Sequence, residues 1–588
     1  MVVVVRRARI GTLAVLGMLA LSAGCPSKTP VSAPPPTASP VKGPIQLTDV
    51  SEQTGIDFVH HDGSGGTRYI VEPMCAGMAT FDYDLDGLID VYFLNGAPMR
   101  GTKVSVPPKD RLYRNEGGWR FRDVTDEAGL GDLGFGLGVT VGDFDNDGDP
   151  DLYLNNYGPN VLYRNNGDGT FTDVTLPAGV ANGDLVGAGT CFLDMDGDSD
   201  LDLFVGNYLR FDYDEHVMRT IDGIPRYPVP RDFKPVPDSL FRNNGDGTFA
   251  DVSEESGVSK VSGTTMGTVG VDYDQDGDTD IFAICDVSAN QFYQNDGTGK
   301  FEEVGILNGT AYNGLGDENA SMGVDCGDYD NDGRLDFFMT SYQSEMPVLY
   351  RNLGSGVFED VTQVSGAGEG AFAYVNWGTG LIDFDSDGDL DIFIANGHTE
   401  DNIDLWDDST SYRCPNFVML NDGTGRFSNI SLGAGSGLLP KKASRGAAFD
   451  DLDNDGDVDV VVLNSRDKPT IIRNETENAN HWLEIRVIGV QANRDGIGAQ
   501  VALVAGEWKR VAEVHSGRSY QSHFGSRLQF GLGDRTQVDR VEIRWLGGEK
   551  QTLENVGVDR LITVIQGHSC WSSRFSVPGG PCPPRKTR

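Results

Sequence analysis

The chain reads as an all-β protein, a seven-bladed β-propeller with a C-terminal small β domain. Three observations predict this. An aspartate-rich nonamer recurs seven times, beginning at Asp82, Asp143, Asp194, Asp272, Asp328, Asp383 and Asp451. Each copy sits in the same pattern of short alternating stretches split by turn residues. The number of closing stretches equals the number of nonamers only when the start of the chain is counted with its end.

The second copy shows the pattern. "GVTVGD" leads into the nonamer and "DLYLNN" leaves it; "VLYRN", the turn "NGDG" and "TFTDVT" follow. Alternating Val, Leu, Tyr and Phe between Gly/Asn/Asp turns indicate strands, and four per repeat make a propeller blade. The nonamer is then the hairpin between the first and second strands. Six closing stretches follow nonamers: "FRDVT", "FTDVT", "FADVS", "FEEVG", "FEDVT" and "FSNIS". None follows the seventh. Instead "LTDVSEQTGI" stands at residues 47–56, ahead of the first nonamer. A strand at 45–50 therefore completes the seventh blade, and residues 45–479 form a ring without exposed sheet edges.

Within each nonamer, carboxylates recur at positions 1, 3, 5 and 9. They are Asp82, Asp84, Asp86 and Asp90; Asp143, Asp145, Asp147 and Asp151; Asp194, Asp196, Asp198 and Asp202; Asp272, Asp274, Asp276 and Asp280. The last three loops carry Asp328, Asp330, Asp332 and Asp336; Asp383, Asp385, Asp387 and Asp391; and Asp451, Asp453, Asp455 and Asp459. Alternate spacing turns the first three carboxylates to one side of a bending backbone. Glycine at position 6 permits the bend, and the ninth residue returns from the next strand. Such a set of hard oxygens, with a carbonyl near position 7, suits Ca2+ better than magnesium. Up to seven ions are expected. Position 7 is Asp149, Asp200, Asp278, Asp389 or Asp457, but Leu88 and Arg334 elsewhere, so its side chain is expected in solvent or behind the ligands. An EF-hand would need a helix after the loop; "DLYL" and "DVVV" are strands. The third loop departs, with Ser199 in place of glycine, and is the weakest site.

The 588 residues carry a net charge of −41, which excludes a nucleic-acid partner, while 38% apolar content supports a sizeable core. Residues 1–25 form a targeting segment. Arg6, Arg7 and Arg9 precede an apolar run, Ile10 to Ala20, too short to span a bilayer. It ends in "LSAGC", which resembles a lipoprotein box with Cys25 as the lipidated residue, although Ser22 takes the leucine slot. The expectation is an exported protein, either a bacterial outer-membrane or cell-surface lipoprotein held to the membrane only through Cys25, or secreted. Residues 26–44, with seven prolines, form an extended tether. Of the other cysteines, Cys570 and Cys582 in the tail 567–588 are the preferred disulfide pair. Cys75, Cys191, Cys285 and Cys326 read as core residues.

The repeated "DxDxDGxxD" ahead of an apolar strand resembles the FG-GAP/VCBS repeats of integrin-type propellers, as do "GFGLG" and "FLNGAP". The first blade, "FVHHDGSGGTRYIVEPMCAGMATFDYDLDGLIDVYFLNG", is similar to the cartilage acidic protein family. "NRDGIGAQVALVAGEWKRVAEVHSGRSYQSHFGSRLQFGLGD" resembles its ASPIC/UnbV domain. Cys75 stands where that family usually has glycine, and its EGF-like module has no counterpart here. The resemblance implies a secreted, calcium-binding, adhesion or matrix-associated protein, and no enzyme reaction.

Residues 480–566 read independently as a small β domain. Its "NRDGIGA" and "SGRSYQS" segments could form a binding loop pair, although glycine-bounded turns are the simpler reading. For function, the first expectation is a surface scaffold for an extracellular protein or glycan ligand. The insertion at residues 211–235, with Tyr213, His216, Arg219, Tyr227 and Arg231, is either an interface or a loop packed on its own blade. The alternative is a polysaccharide-acting enzyme using His60, His61 and Glu72, or His398 and Glu400. Neither group has a third catalytic partner at recognisable spacing.

Overall fold

The computed structural model describes residues 42–569 and 571–573. Cys25, the targeting segment, most of the tether, the Cys570–Cys582 pair and the end of the tail lie outside them. Among the described residues no helix is long and apolar enough to cross a membrane. Cys75, Cys191, Cys285, Cys326 and Cys414 are free, buried thiols.

The molecule is an all-β propeller. Seven four-stranded antiparallel sheets each carry one acidic nonamer between their first and second strands. In five the strands follow one another directly in the chain, as in Phe135–Gly142, Asp151–Tyr157, Val161–Asn165 and Phe171–Asp173; the insertion separates Asp202–Asn207 from Ser239–Asn243 in the third sheet. The seventh joins Ser444–Asp450, Asp459–Asn464 and Thr470–Asn474 to Leu47–Asp49 from the other end of the chain. Leu47 lies opposite Asn474, and Asp49 opposite Ile472. The innermost strands adjoin one another in order, and Ser444–Asp450 lies against Met78–Phe81, which returns the cycle to its start.

Small residues let these inner strands approach. A Cβ on Gly138 would stand 2.1 Å from the Ala188 carbonyl oxygen of the next sheet. The closing motif has an equally local cause. Asp173 Oδ1 accepts the Thr175 N–H at 2.9 Å and its hydroxyl at 2.6 Å, while Thr175 Oγ1 accepts the Leu162 N–H at 2.9 Å. Across the seventh sheet Asp49 and Ser51 repeat this. Ser51 donates N–H and hydroxyl to Asp49 Oδ1 at 3.0 and 2.6 Å, and its Oγ accepts the Ile471 N–H at 2.9 Å. The same short-range chemistry thus fastens residues 420 positions apart.

The C-terminal domain has two four-stranded sheets. One contains Leu528–Gly533, His481–Ile488, Arg560–Ile565 and Trp571–Ser573; the other Trp508–Glu513, Gln500–Ala505, Gln537–Arg544 and Lys550–Gly557. Its core of Leu483, Ile485, Val501, Leu503, Val541 and Trp545 is continuous with Phe144, Tyr153 and Phe192 of the propeller.

The domain sits on the acidic-loop side and sends residues 515–525 into the propeller axis. Ser516 Oγ donates to the Val141 carbonyl at 2.6 Å. Ser519 exchanges backbone hydrogen bonds with Val324 at 2.7 and 3.1 Å, and His523 bonds Met78 and Thr80 at 2.9 and 3.1 Å. At the tip Tyr520, fully buried, donates to the Met74 carbonyl at 2.6 Å and packs edge-on against Trp377. "SGRSYQS" is therefore an axial plug and not a surface turn; its short hydroxyl side chains reach backbone groups that inner strands expose around the axis.

Candidate metal centres

Each nonamer folds by donating its own backbone to its own carboxylates. In all seven, the N–H of residue 6 donates to the carboxylate of residue 1; Gly148 to Asp143 Oδ2, at 2.7 Å, is typical. In all seven the N–H of residue 7 donates to the carboxylate of residue 5, as Asp149 does to Asp147 at 3.0 Å. Residues 4 and 6 are left-handed throughout: Asn146 has φ +55° and Gly148 φ +104°. The third loop keeps this shape by moving its glycine. Gly197 takes position 4 with φ +74°, and Ser199 holds φ +78° at position 6 while still donating to Asp194 at 3.0 Å.

The ninth aspartate is fixed by the third strand. Asp151 Oδ1 accepts the Asn165 N–H at 2.7 Å, and the six equivalent pairs repeat it at 2.7–2.8 Å. That asparagine ends the "YRN" stretch, an ordinary strand end from composition alone. Its side chain also reaches the preceding sheet. Asn165 Nδ2 donates to the Tyr83 carbonyl at 2.9 Å, so each loop is tied sideways to its neighbour. Position 7 joins the same chain of contacts. Asp200 and Asp389 accept from Asn146 and Asn331 of the preceding loops at 3.1 and 2.6 Å.

These contacts bring carboxylate oxygens together. In the first three loops, residues 1, 3 and 9 each place one oxygen within 4.8 Å of the others: Asp82, Asp84 and Asp90; Asp143, Asp145 and Asp151; Asp194, Asp196 and Asp202. In the fourth and fifth loops residues 1, 3 and 5 do so, Asp272, Asp274 and Asp276, and Asp328, Asp330 and Asp332. These clusters could hold metal ions. Two observations bear on the fit. Asp272 Oδ1, Asp280 Oδ2 and Asp328 Oδ1 are buried without a hydrogen-bond partner, on residues 1–3% exposed. Burial also drives the carboxyls upward, with neighbouring carboxylates adding to it: Asp143 to about 8, Asp328 to about 7, Asp194 to about 6, and the ninth residues such as Asp151 well above the usual range. An all-oxygen donor set that leaves buried carboxylate oxygens unpaired fits a hard divalent cation, although Arg544 also pairs with Asp272.

The loops differ in what else reaches them. Arg114 pairs with Asp84 at 2.7 Å and Asp86 at 3.0 Å, and Arg351 with Asp330 at 2.6 Å. At the equivalent place Gln294 donates to Asp274 at 2.9 Å, and the sixth loop has Leu420.

Of the histidine and glutamate candidates, Glu72 and Glu400 meet elsewhere, under the insertion. Tyr227 donates its hydroxyl to Glu72 Oε2 and its N–H to Glu400 Oε1, both at 2.9 Å. The insertion thus reaches the first and sixth sheets and does not pack on its own blade alone. Arg445, fully buried, donates to the Pro73 and His398 carbonyls at 2.8 and 3.2 Å. Burial pushes Glu72 and Glu400 up to about 7, and pushes His60 and His398 down to about 3 and 4. His61 instead accepts the Gly63 N–H locally at 2.8 Å. Within the insertion Arg219 pairs with Asp232 at 2.7 and 2.6 Å, His216 and Tyr213 pack edge-on against Tyr69, and Arg231 pairs with Glu318.

The FG-GAP-like repeat model matches residues 82–154, 143–205, 235–283, 272–339, 328–394 and 383–462, more than half of the chain. The chain belongs to the FG-GAP-like repeat family. Five of the six matched segments open on the first aspartate of a nonamer. The ASPIC and UnbV model matches residues 489–570 of this FG-GAP protein. Cartilage acidic protein 1 of Mus musculus is 24% identical over 526 residues, covering 83% of this chain and 73% of its own; that of Homo sapiens is 24% identical over 531, covering 83% and 71%. Among solved structures, an Agrocybe aegerita lectin that recognises non-reducing terminal N-acetylglucosamine is 17% identical with a TM-score of 0.34, covering 60% of this chain and 79% of its own. Bacillus licheniformis rhamnogalacturonan lyase PL11 is 13% identical with a TM-score of 0.36, covering 68% and 72%. Overlaps this loose carry no argument about function.

Proposed function

We propose that this FG-GAP protein is an exported, calcium-binding scaffold that presents its insertion-side face to an extracellular protein or glycan. The observation that carries the calcium reading is the sevenfold repetition of one loop geometry, with residue 6 closing on residue 1 and the ninth aspartate pinned by the third-strand asparagine. In the second loop Asp143, Asp145, Asp147 and Asp151 would hold the ion. A bound calcium would add positive charge among the crowded carboxylates. Sites of this extracellular kind bind at roughly 0.1–1 mM. At such affinities the ions are structural parts of the loops and not a signal. Arg6 to Ala20, the "LSAGC" box and the tether support export and a lipid anchor at Cys25.

The partner face is the one the C-terminal domain leaves uncovered. The C-terminal domain contacts the acidic loops. The insertion lies at the other end of the strands and exposes Met218 at 76% and Ile221 at 47%. Beside it a cleft of about 730 Å³ is lined by Arg231, Tyr312, Leu315, Glu318, Glu345 and Phe372. Pull-down and glycan-array screening of the full chain in calcium, repeated with chelator, tests this reading. The expected result is a ligand lost when Met218 and Phe372 are replaced by Ser. Binding indifferent to both replacements would show that the ligand does not dock on the insertion-side face.

One observation favours a second reading, a polysaccharide-acting enzyme: Tyr227 brings Glu72 and Glu400 together. Depolymerisation of a polysaccharide, abolished by Glu72→Gln, would establish it.

A further inference from the structure

The C-terminal domain touches the acidic loops at repeated backbone atoms, and at side chains too, with Arg544 on Asp272 and Arg510 on Asp389. In the first, sixth and seventh loops the carbonyl of the position-6 glycine accepts from a side chain of that domain. Arg527 Nη2 donates to Gly87 at 2.9 Å, Arg510 Nε to Gly388 and Gln529 Nε2 to Gly456. In the second and fourth loops the position-1 N–H donates to one of its carboxylates: Asp143 to Asp495 at 2.6 Å, and Asp272 to Glu513 at 3.2 Å. Gly456 shows how close the fit is, because a Cβ there would stand 1.9 Å from the Trp482 ring.

Those carbonyls and N–H groups point outward only while residues 4 and 6 keep their left-handed conformations. The conformations depend in turn on carboxylates that crowd one another, and Asp272 Oδ1 and Asp328 Oδ1 remain buried without a partner. Ions in the loops would offset that crowding and hold the shape that the domain contacts. The geometry points to a linkage: the ASPIC/UnbV domain reads the cation-loaded loop conformation, so seating of its axial plug, residues 515–525, and cation binding stabilise each other. The inference rests on the loops holding a divalent cation, and adds that the second domain responds to it. Because linkage is reciprocal, a domain contact that is lost must also weaken the ion.

Hydrogen exchange on the full chain, followed by mass spectrometry across a calcium titration from chelator, tests this. Exchange in residues 515–525 is expected to slow by about tenfold or more at the same calcium midpoint as exchange in the loops. Loops that respond while 515–525 stays equally protected would overturn the linkage and leave the calcium reading standing. If neither segment responds, the calcium reading fails and takes the linkage with it. Gln529→Leu, which changes no charge, is expected to raise the calcium midpoint of residues 451–459 by about threefold to tenfold, the worth of one hydrogen bond. An unshifted midpoint would overturn the linkage as well.

Discussion

Asn115 Nδ2 donates to the Leu452 carbonyl at 2.8 Å, joining the first sheet to the acidic loop of the seventh across 337 residues of chain. The same bond recurs at every other junction, from Asn165, Asn243, Asn295, Asn352, Asn421 and Asn474 to the residue after the first aspartate of the preceding loop. One side chain per sheet therefore orients the ninth aspartate through its N–H and staples the neighbouring loop through its amide.

Asn115→Ala removes that amide at the junction where the chain ends meet, leaving the buried Ile89 and Leu452 carbonyls without their donor. A loss of about 1–3 kcal/mol in unfolding free energy is expected for each such group. Urea denaturation in calcium checks it. A midpoint equal to the parent's would show that the staple contributes nothing to closure.

Tyr520→Ala empties the tip of the axial plug. The ring is fully buried against Trp377, with centroids 4.8 Å apart, and its hydroxyl leaves with it. A destabilisation of about 3–5 kcal/mol follows from large-to-small replacement in a closed site. Tyr520→Phe, which keeps the ring and loses only the bond to Met74, is expected to cost about 1 kcal/mol. Equal losses for the two variants would contradict the packing role.

Glu72 makes stability depend on pH. Burial raises its folded-state value to about 7 from an ordinary 4.5, so the folded protein binds the extra proton between those limits. Stability from this group is complete below about pH 4.5 and is lost as pH rises through 7. Glu400 acts in the same direction, also near 7. Glu72→Gln is expected to flatten part of that fall, raising the urea midpoint at pH 8 more than at pH 5. An identical slope in parent and variant would place the Glu72 carboxyl in water.

Much of this was legible in the sequence because it is written locally. The nonamer, its strand flanks and the closing "DVT" all act within a few residues, and their repetition announced an all-β ring. Where the acidic clusters lie followed from alternate spacing and a turn-permitting residue, although the third loop carries its glycine at 197 and not at the expected 199. Destinations were not legible. Asn115 reads as a strand end because its second partner lies in a different repeat. "SGRSYQS" reads as turns because glycine and serine favour turns, and nothing in their order says that the loop enters an axis. Glu72 and Glu400 sit 328 positions apart in the sequence, and only the fold brings them to Tyr227.

The crowded loops are proposed as cation sites. Isothermal titration of the chelator-stripped full chain with calcium, paired with thermal melting of the same samples, tests this most directly. Several equivalents are expected to bind per chain in the submillimolar range, with a melting temperature that rises with occupancy. A stripped chain that takes up no calcium and melts where the untreated protein does would contradict it.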